Sequence, residues 1–238
     1  MTAPAWMSLI PIYSVLALCG AMNANPATLF GVTLRISPSH PSALAVLNHQ
    51  SGLVSLASFH TDRELLELAG TYQPTLIALG SPLCLPTGLA DLEPSTHPRG
   101  APPEHRGRQL ERELASIGIS CFFTGRGSVI RPLIYRGIGL KDELQLRGYE
   151  VIEVYPPATK VILFGEQALR QKGSRSVAAL KEQLGTLICG VAAYPGTLNK
   201  NSSDALLNAY TALLHMREGT DFLGDPQEGL LSIPKLLH

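Results

Sequence analysis

The chain has 238 residues, 45% of them hydrophobic and 16% charged, with 19 Lys+Arg against 19 Asp+Glu. That length can bury a sizeable core, and a charged fraction below the roughly 25% of an average domain excludes disorder, a fibrous repeat and a charged coiled coil. The balanced charge leaves no global field to draw in nucleic acid or an anionic membrane, so any polyanion must be met by a local patch. Cys19, Cys84, Cys121 and Cys189 are far apart and form no CxxC pair, which argues against a zinc ribbon and for reduced thiols in a cytoplasmic protein.

Residues 1–34 carry no charged side chain. The apolar run at 6–22 is shorter than a membrane span, contains Pro11 and lacks flanking charges, and no positive segment precedes it as a secretory signal requires. Residues 1–21 therefore read as an unstructured or mis-set extension. A packed apolar helix and a signal or anchor are the alternatives. The domain proper is expected over 22–238. Its first strand is LFGVTLRI (29–36), rich in β-branched and aliphatic residues. The apolar runs 43–49 and 53–60, separated by Gln50-Ser51-Gly52, predict a hairpin. Thr61 to Glu64 is a capping-box pattern that opens a helix ending near Gly70. TLIALG (75–80) is a near-continuous apolar run, as in a central strand covered on both faces.

Residues 82–105 hold Pro82, Pro86, Pro94, Pro98, Pro102 and Pro103. Proline resists both helix and ladder, so this stretch is expected to be an excursion, a lid or a binding segment. Helices are predicted at 106–117 and 133–147, a strand at 149–156, and helical segments near 158–169 and 176–187. A final helix over 204–218 carries Leu206, Leu207, Tyr210, Leu213 and Leu214 at helical spacing. The sum is an α/β domain with a mixed five-stranded sheet ordered 3-2-1-4-5, its first three strands antiparallel and the fourth and fifth parallel to the first.

A β-meander followed by helix-linked strands suits an RNase H-like fold, and four stretches resemble the DUF429 family of predicted nucleases over about residues 29–234. They are Gly31-Val32-Thr33; the run from Ile77 to Leu83 with Leu85-Pro86; Arg108 to Gly118 followed by Gly148 to Pro156 with its Glu-Val-Tyr-Pro ending; and the Asp204-Ala205-Leu206 helix. The resemblance implies phosphodiester hydrolysis by divalent metal, Mg²⁺ or Mn²⁺, held by carboxylates that converge from several strands and the last helix. Two ions about 4 Å apart need several such hard oxygen ligands. The chain departs from the family where the first-strand and fourth-strand aspartates would stand: it has Thr33 and Gly80. Glu153 and Asp204 remain as the implied metal ligands and catalytic acids, with Asp91 and Glu93 of the proline-rich stretch as conceivable substitutes.

Each has a plainer reading. A carboxylate on an apolar strand is costly unless paired, so Glu153 belongs either to a site or to a buried salt bridge, for instance with Arg108 or Arg131. Asp204 is either a site residue or, with Ser203, the cap of its helix. Arg108, Arg112, Arg126 and Arg131, in a strip that runs from Arg106 to Arg136 and Lys141, are the candidate phosphate contacts; the alternative is a solvated face. His97 and His105 are spaced wrongly for a metal site, and neither Cys84 nor Cys121 has a neighbouring His to activate it. Two functions follow: a metal-dependent nuclease-like hydrolase acting on nucleic acid, or a catalytically inactive relative kept as a binding or scaffolding module. No membrane contact is expected, and the sequence leaves the oligomeric state open.

Overall fold

The computed structural model describes residues 27–37, 39–94, 107–166 and 174–235. The extension at 1–21, His97 and His105 lie outside them. The chain opens with strands β1 (Thr28–Thr33), β2 (Ser42–Asn48) and β3 (Leu53–Phe59), then helix α1 (Asp62–Tyr72) and strand β4 (Leu76–Leu79). After the proline-rich stretch come α2 (Gln109–Ser116), α3 (Arg131–Leu146), β5 (Glu150–Val154), α4 (Pro156–Phe164), α5 (Ser174–Leu187) and α6 (Lys200–Met216). Two further strands close the order, β6 (Thr220–Asp225) and β7 (Gly229–Pro234).

All seven strands form one mixed sheet, ordered β3-β2-β1-β4-β5-β7-β6. The expected order 3-2-1-4-5 is contained in it, with β1–β2–β3 antiparallel and β4 and β5 parallel to β1. The expected count of five is corrected to seven. The missed pair is an edge hairpin whose outer strand, with Asp221, Gly224 and Asp225, lacks the apolar run of a central strand. It joins the sheet through β7, which runs parallel to β5 with Glu153 opposite Leu231.

Alternation along β1 and β2 makes two different faces. Phe30, Val32, Leu44 and Val46 pack with Leu65 of α1 and Leu140 and Leu144 of α3. Ala43, Ala45 and Leu47 face the other way, toward Leu180 and Leu184 of α5 and Ala205, Leu206 and Ala209 of α6. Small residues on that second face let α6 lie directly on the sheet. A Cβ on Gly31 would stand 2.0 Å from the Ala209 nitrogen and 2.2 Å from the Ala205 oxygen, so any side chain there would lift the helix. This contact fixes where Asp204, one residue before Ala205, sits relative to the end of β1.

The predicted turn chemistry holds. Asn48 Oδ1 accepts the backbone N–H groups of Gln50 and Gly52 in the β2–β3 turn. Thr61 caps α1, accepting from the Glu64 N–H while Glu64 accepts from the His60 N–H. The described part of the proline-rich stretch has neither helix nor strand, yet it is packed down: Leu89 and Leu92 are buried against Ile134, and Tyr135 Oη accepts the Leu92 N–H at 2.7 Å.

Candidate functional site

A pocket of about 420 Å³ opens at the ends of β1, β4 and β5, where Thr33, Gly80, Glu153 and Asp204 all line it. The four positions singled out from the sequence therefore converge, as strand ends at the same edge of parallel neighbours should. Their chemistry does not converge. Thr33 is buried, and its hydroxyl lies 3.4 Å from the Asn208 amide nitrogen. Asn208 also donates to the Val32 carbonyl at 2.8 Å. A Cβ on Gly80 would meet that same amide at 2.5 Å. Any side chain at position 80 would have to displace the Asn208 amide from the Val32 carbonyl. Asn208, four residues after Asp204 on the same helical face, is the residue behind the ends of β1 and β4 that sequence reasoning missed.

Glu153 makes the buried salt bridge with Arg108 that was one of its two expected roles, and it lines the pocket as well. The guanidinium of Arg108 grips it bidentately, Nη1 to Oε2 at 2.8 Å and Nη2 to Oε1 at 2.6 Å, and the Leu83 N–H donates to Oε2 at 2.8 Å. Arg108 Nε donates to Glu111 Oε1 at 3.0 Å, and Glu111 also accepts from the Arg108 N–H, the Thr124 N–H and the Thr124 hydroxyl. The three side chains are 1%, 6% and 2% exposed for Arg108, Glu153 and Glu111. Burial alone works against a charged guanidinium, but the two carboxylates hold the Arg108 pKa above its ordinary value. The local sequence explains the placement. Arg108 immediately precedes α2, and Glu111 reaches back to its backbone N–H. The missed hairpin holds that helix start in place: Glu228 accepts the Gln109 and Thr87 N–H groups at 2.6 and 3.0 Å.

Asp204 contrasts with this. The capping role expected for it or Ser203 is corrected: α6 starts earlier, with Asn199 as cap exchanging hydrogen bonds with Ser202. Asp204 lies more than a turn inside the helix, half-buried, and accepts no hydrogen bond from the described residues. Burial pushes its carboxyl up to about 6, against the pull of Lys200, Lys160 and Arg35.

The arginine strip is spoken for. Arg108 is inside the cluster just described, and Arg112 donates to the Gly107 carbonyl at 2.6 Å. Arg126 pairs with Asp91 at 3.2 Å and Arg131 with Glu93 at 3.4 Å. Asp91 and Glu93, considered as substitute ligands, are thereby the counter-charges of the strip. Further along, Arg136 pairs with Asp62. Cys84, Cys121 and Cys189 are free; burial raises the Cys121 thiol to about 11, the opposite of an activated nucleophile.

A divalent ion does not fit this donor set. Thr33 and Gly80 offer no anionic oxygen, both Glu153 oxygens are engaged by Arg108, and no second free carboxylate stands with Asp204 among the described pocket-lining residues. Among the described residues no three His, Cys, Asp or Glu side chains are grouped to hold a metal. Arg108 instead supplies the positive charge that two buried carboxylates need.

No family model and no curated protein matches the chain. The solved structure of Thermus thermophilus RuvC overlaps it at 12% identity with a TM-score of 0.46, over 80% of this chain and 96% of that one. An overlap this loose carries no chemistry across. Among the described residues, no helix is long and apolar enough to cross a membrane.

Proposed function

We propose that the chain is an RNase H-like, DUF429-type domain over residues 22–238 whose metal-dependent hydrolysis has been lost, kept in the cytoplasm as a binding module. What carries this reading is the bidentate Arg108–Glu153 pair. It puts a fixed guanidinium where a nuclease of that fold would need a free carboxylate, and the two other expected acids are Thr33 and Gly80. Two-metal phosphodiester cleavage requires ligands on both ions, and losing one electrostatic contact at a transition state costs ~10²–10³ in rate. The paired state of Arg126 and Arg131 favours the pocket over a long basic face as the place where something binds.

The test is a cleavage assay on single- and double-stranded DNA and RNA with Mg²⁺ or Mn²⁺. The expected result is no cleavage above a protein-free blank. Brisk metal-dependent cleavage that both Glu153→Gln and Asp204→Asn abolish would restore the hydrolase reading.

A further inference from the structure

We infer that the pocket binds a small phosphate monoester whose organic part carries a hydroxyl group and a flat apolar group, a nucleoside monophosphate being the form that uses every wall. The inference rests on the binding-module reading above and names its ligand class. Six arginines of the described residues are in ion pairs. Arg35, Lys160 and Lys200 are not: their side chains make no ion pair and no hydrogen bond among the described residues, and all three act on Asp204 through their fields. Arg35 and Lys200 line the pocket itself. Arg35 and Lys200 thus line the pocket without a partner among the described residues, beside the single carboxylate Asp204, while Arg108 with Glu153 and Glu111 carries one net negative charge, so an anion is held between Arg35 and Lys200 and away from that cluster. A phosphate monoester, at ≈ −1.5 to −2 near neutral pH, engages both free cations at once.

The remaining walls narrow the organic part. Asp204 accepts no hydrogen bond from the described residues, so a ligand hydroxyl gives its half-buried carboxylate a partner. Leu34, Ile36, Leu133 and Phe122 line the same pocket, and Phe122 is 64% exposed. An aromatic left open beside a pocket suits the face of a nucleobase. The floor attracts no anion of its own, because Arg108 is already shared between Glu153 and Glu111. The volume lies in the ordinary range for small-ligand sites.

The experiment is calorimetric titration of the full chain with adenosine, guanosine, cytidine and uridine monophosphates, and with ribose phosphate, adenosine, inorganic phosphate and a single-stranded oligonucleotide as comparisons. At least one nucleoside monophosphate is expected to bind at sub-millimolar concentration without metal. Adenosine, ribose phosphate and inorganic phosphate should each be weaker by ~10-fold or more, the equivalent of one charge-assisted or stacking contact. Arg35→Ala and Lys200→Ala should weaken both the nucleotide and inorganic phosphate by ~10-fold. Asp204→Ala should weaken the nucleotide and leave inorganic phosphate unchanged or tighter. Arg126→Ala should change neither. The inference is overturned if no monophosphate binds, if ribose phosphate binds as tightly as the nucleotides, if the Arg35 and Lys200 variants bind as the parent does, or if the oligonucleotide binds far more tightly than any mononucleotide. A protein that binds neither Mn²⁺ nor a monophosphate keeps the reading of a disabled metal site and loses this ligand.

Discussion

The two ends of the pocket handle charge in opposite ways. At the β5 end, Arg108, Glu153 and Glu111 are almost wholly buried and every charged oxygen has a donor, supplied by the guanidinium, by Thr124 and by backbone N–H groups. At the α6 end, Arg35, Lys160 and Lys200 act on Asp204 through their fields, and none of the four is in an ion pair among the described residues. A charge network closed on itself holds structure and leaves nothing for a ligand. A set of charges left open adds little to the fold and is where binding energy can still be gained. On the proposed binding-module reading, ligand contact falls to Asp204 and its neighbours, and Glu153 belongs to the architecture, although the sequence offered the two residues as equal partners.

The largest expected effect comes from breaking the closed end. Arg108→Met strands two buried carboxylates, a situation that costs ~3–5 kcal/mol. Glu153→Gln leaves Arg108 still paired with Glu111 and loses only part of the hydrogen bonding, ~1–3 kcal/mol. Urea unfolding of the two variants measures the order. If Glu153→Gln proves as damaging as Arg108→Met, or if neither matters, the cluster is not the closed network described here.

A smaller effect sharpens the open end. Asp204 holds its proton more firmly in the folded chain, at about 6, than at the ordinary 3.8. Between those values the folded state binds more protons than the unfolded state, so stability falls as pH rises through that window. The contribution is fully present below the lower value and lost above the upper one. Asp204→Asn should remove this dependence. Thermal melts of the variant and the parent should coincide near the acid side of the window and separate toward neutral pH, with the variant the more stable. A parent that gains stability relative to the variant as pH rises would show that Asp204 has a partner after all.

Much of the frame was legible because it depends on local pattern. The meander, the turn at Asn48–Gly52, the Thr61–Glu64 box and the apolar run of β4 follow from alternation, turn residues and capping. The site was legible only as positions. Thr33, Gly80, Glu153 and Asp204 do meet, but their partners come from far along the chain: Arg108 is 45 residues from Glu153, and Asp91 is 35 from Arg126. No short-range pattern reports such pairings. The β6–β7 hairpin escaped notice because a polar edge strand with Gly224 lacks an apolar alternation. Its signal was the turn Asp225-Pro226-Gln227-Glu228-Gly229, where Asp225 accepts the Gln227 and Glu228 N–H groups. The start of α6 was readable in principle from Asn199 and Ser202, a capping box that lies before the leucine periodicity begins.

The most direct test of the central claim, that Arg108 occupies the place a metal ion would need, is isothermal titration of the untreated full chain with Mn²⁺ at neutral pH. The account predicts no saturable heat up to millimolar Mn²⁺, and the same flat trace for Asp204→Asn and Glu153→Gln. Stoichiometric Mn²⁺ binding by the parent that both variants lose would contradict it.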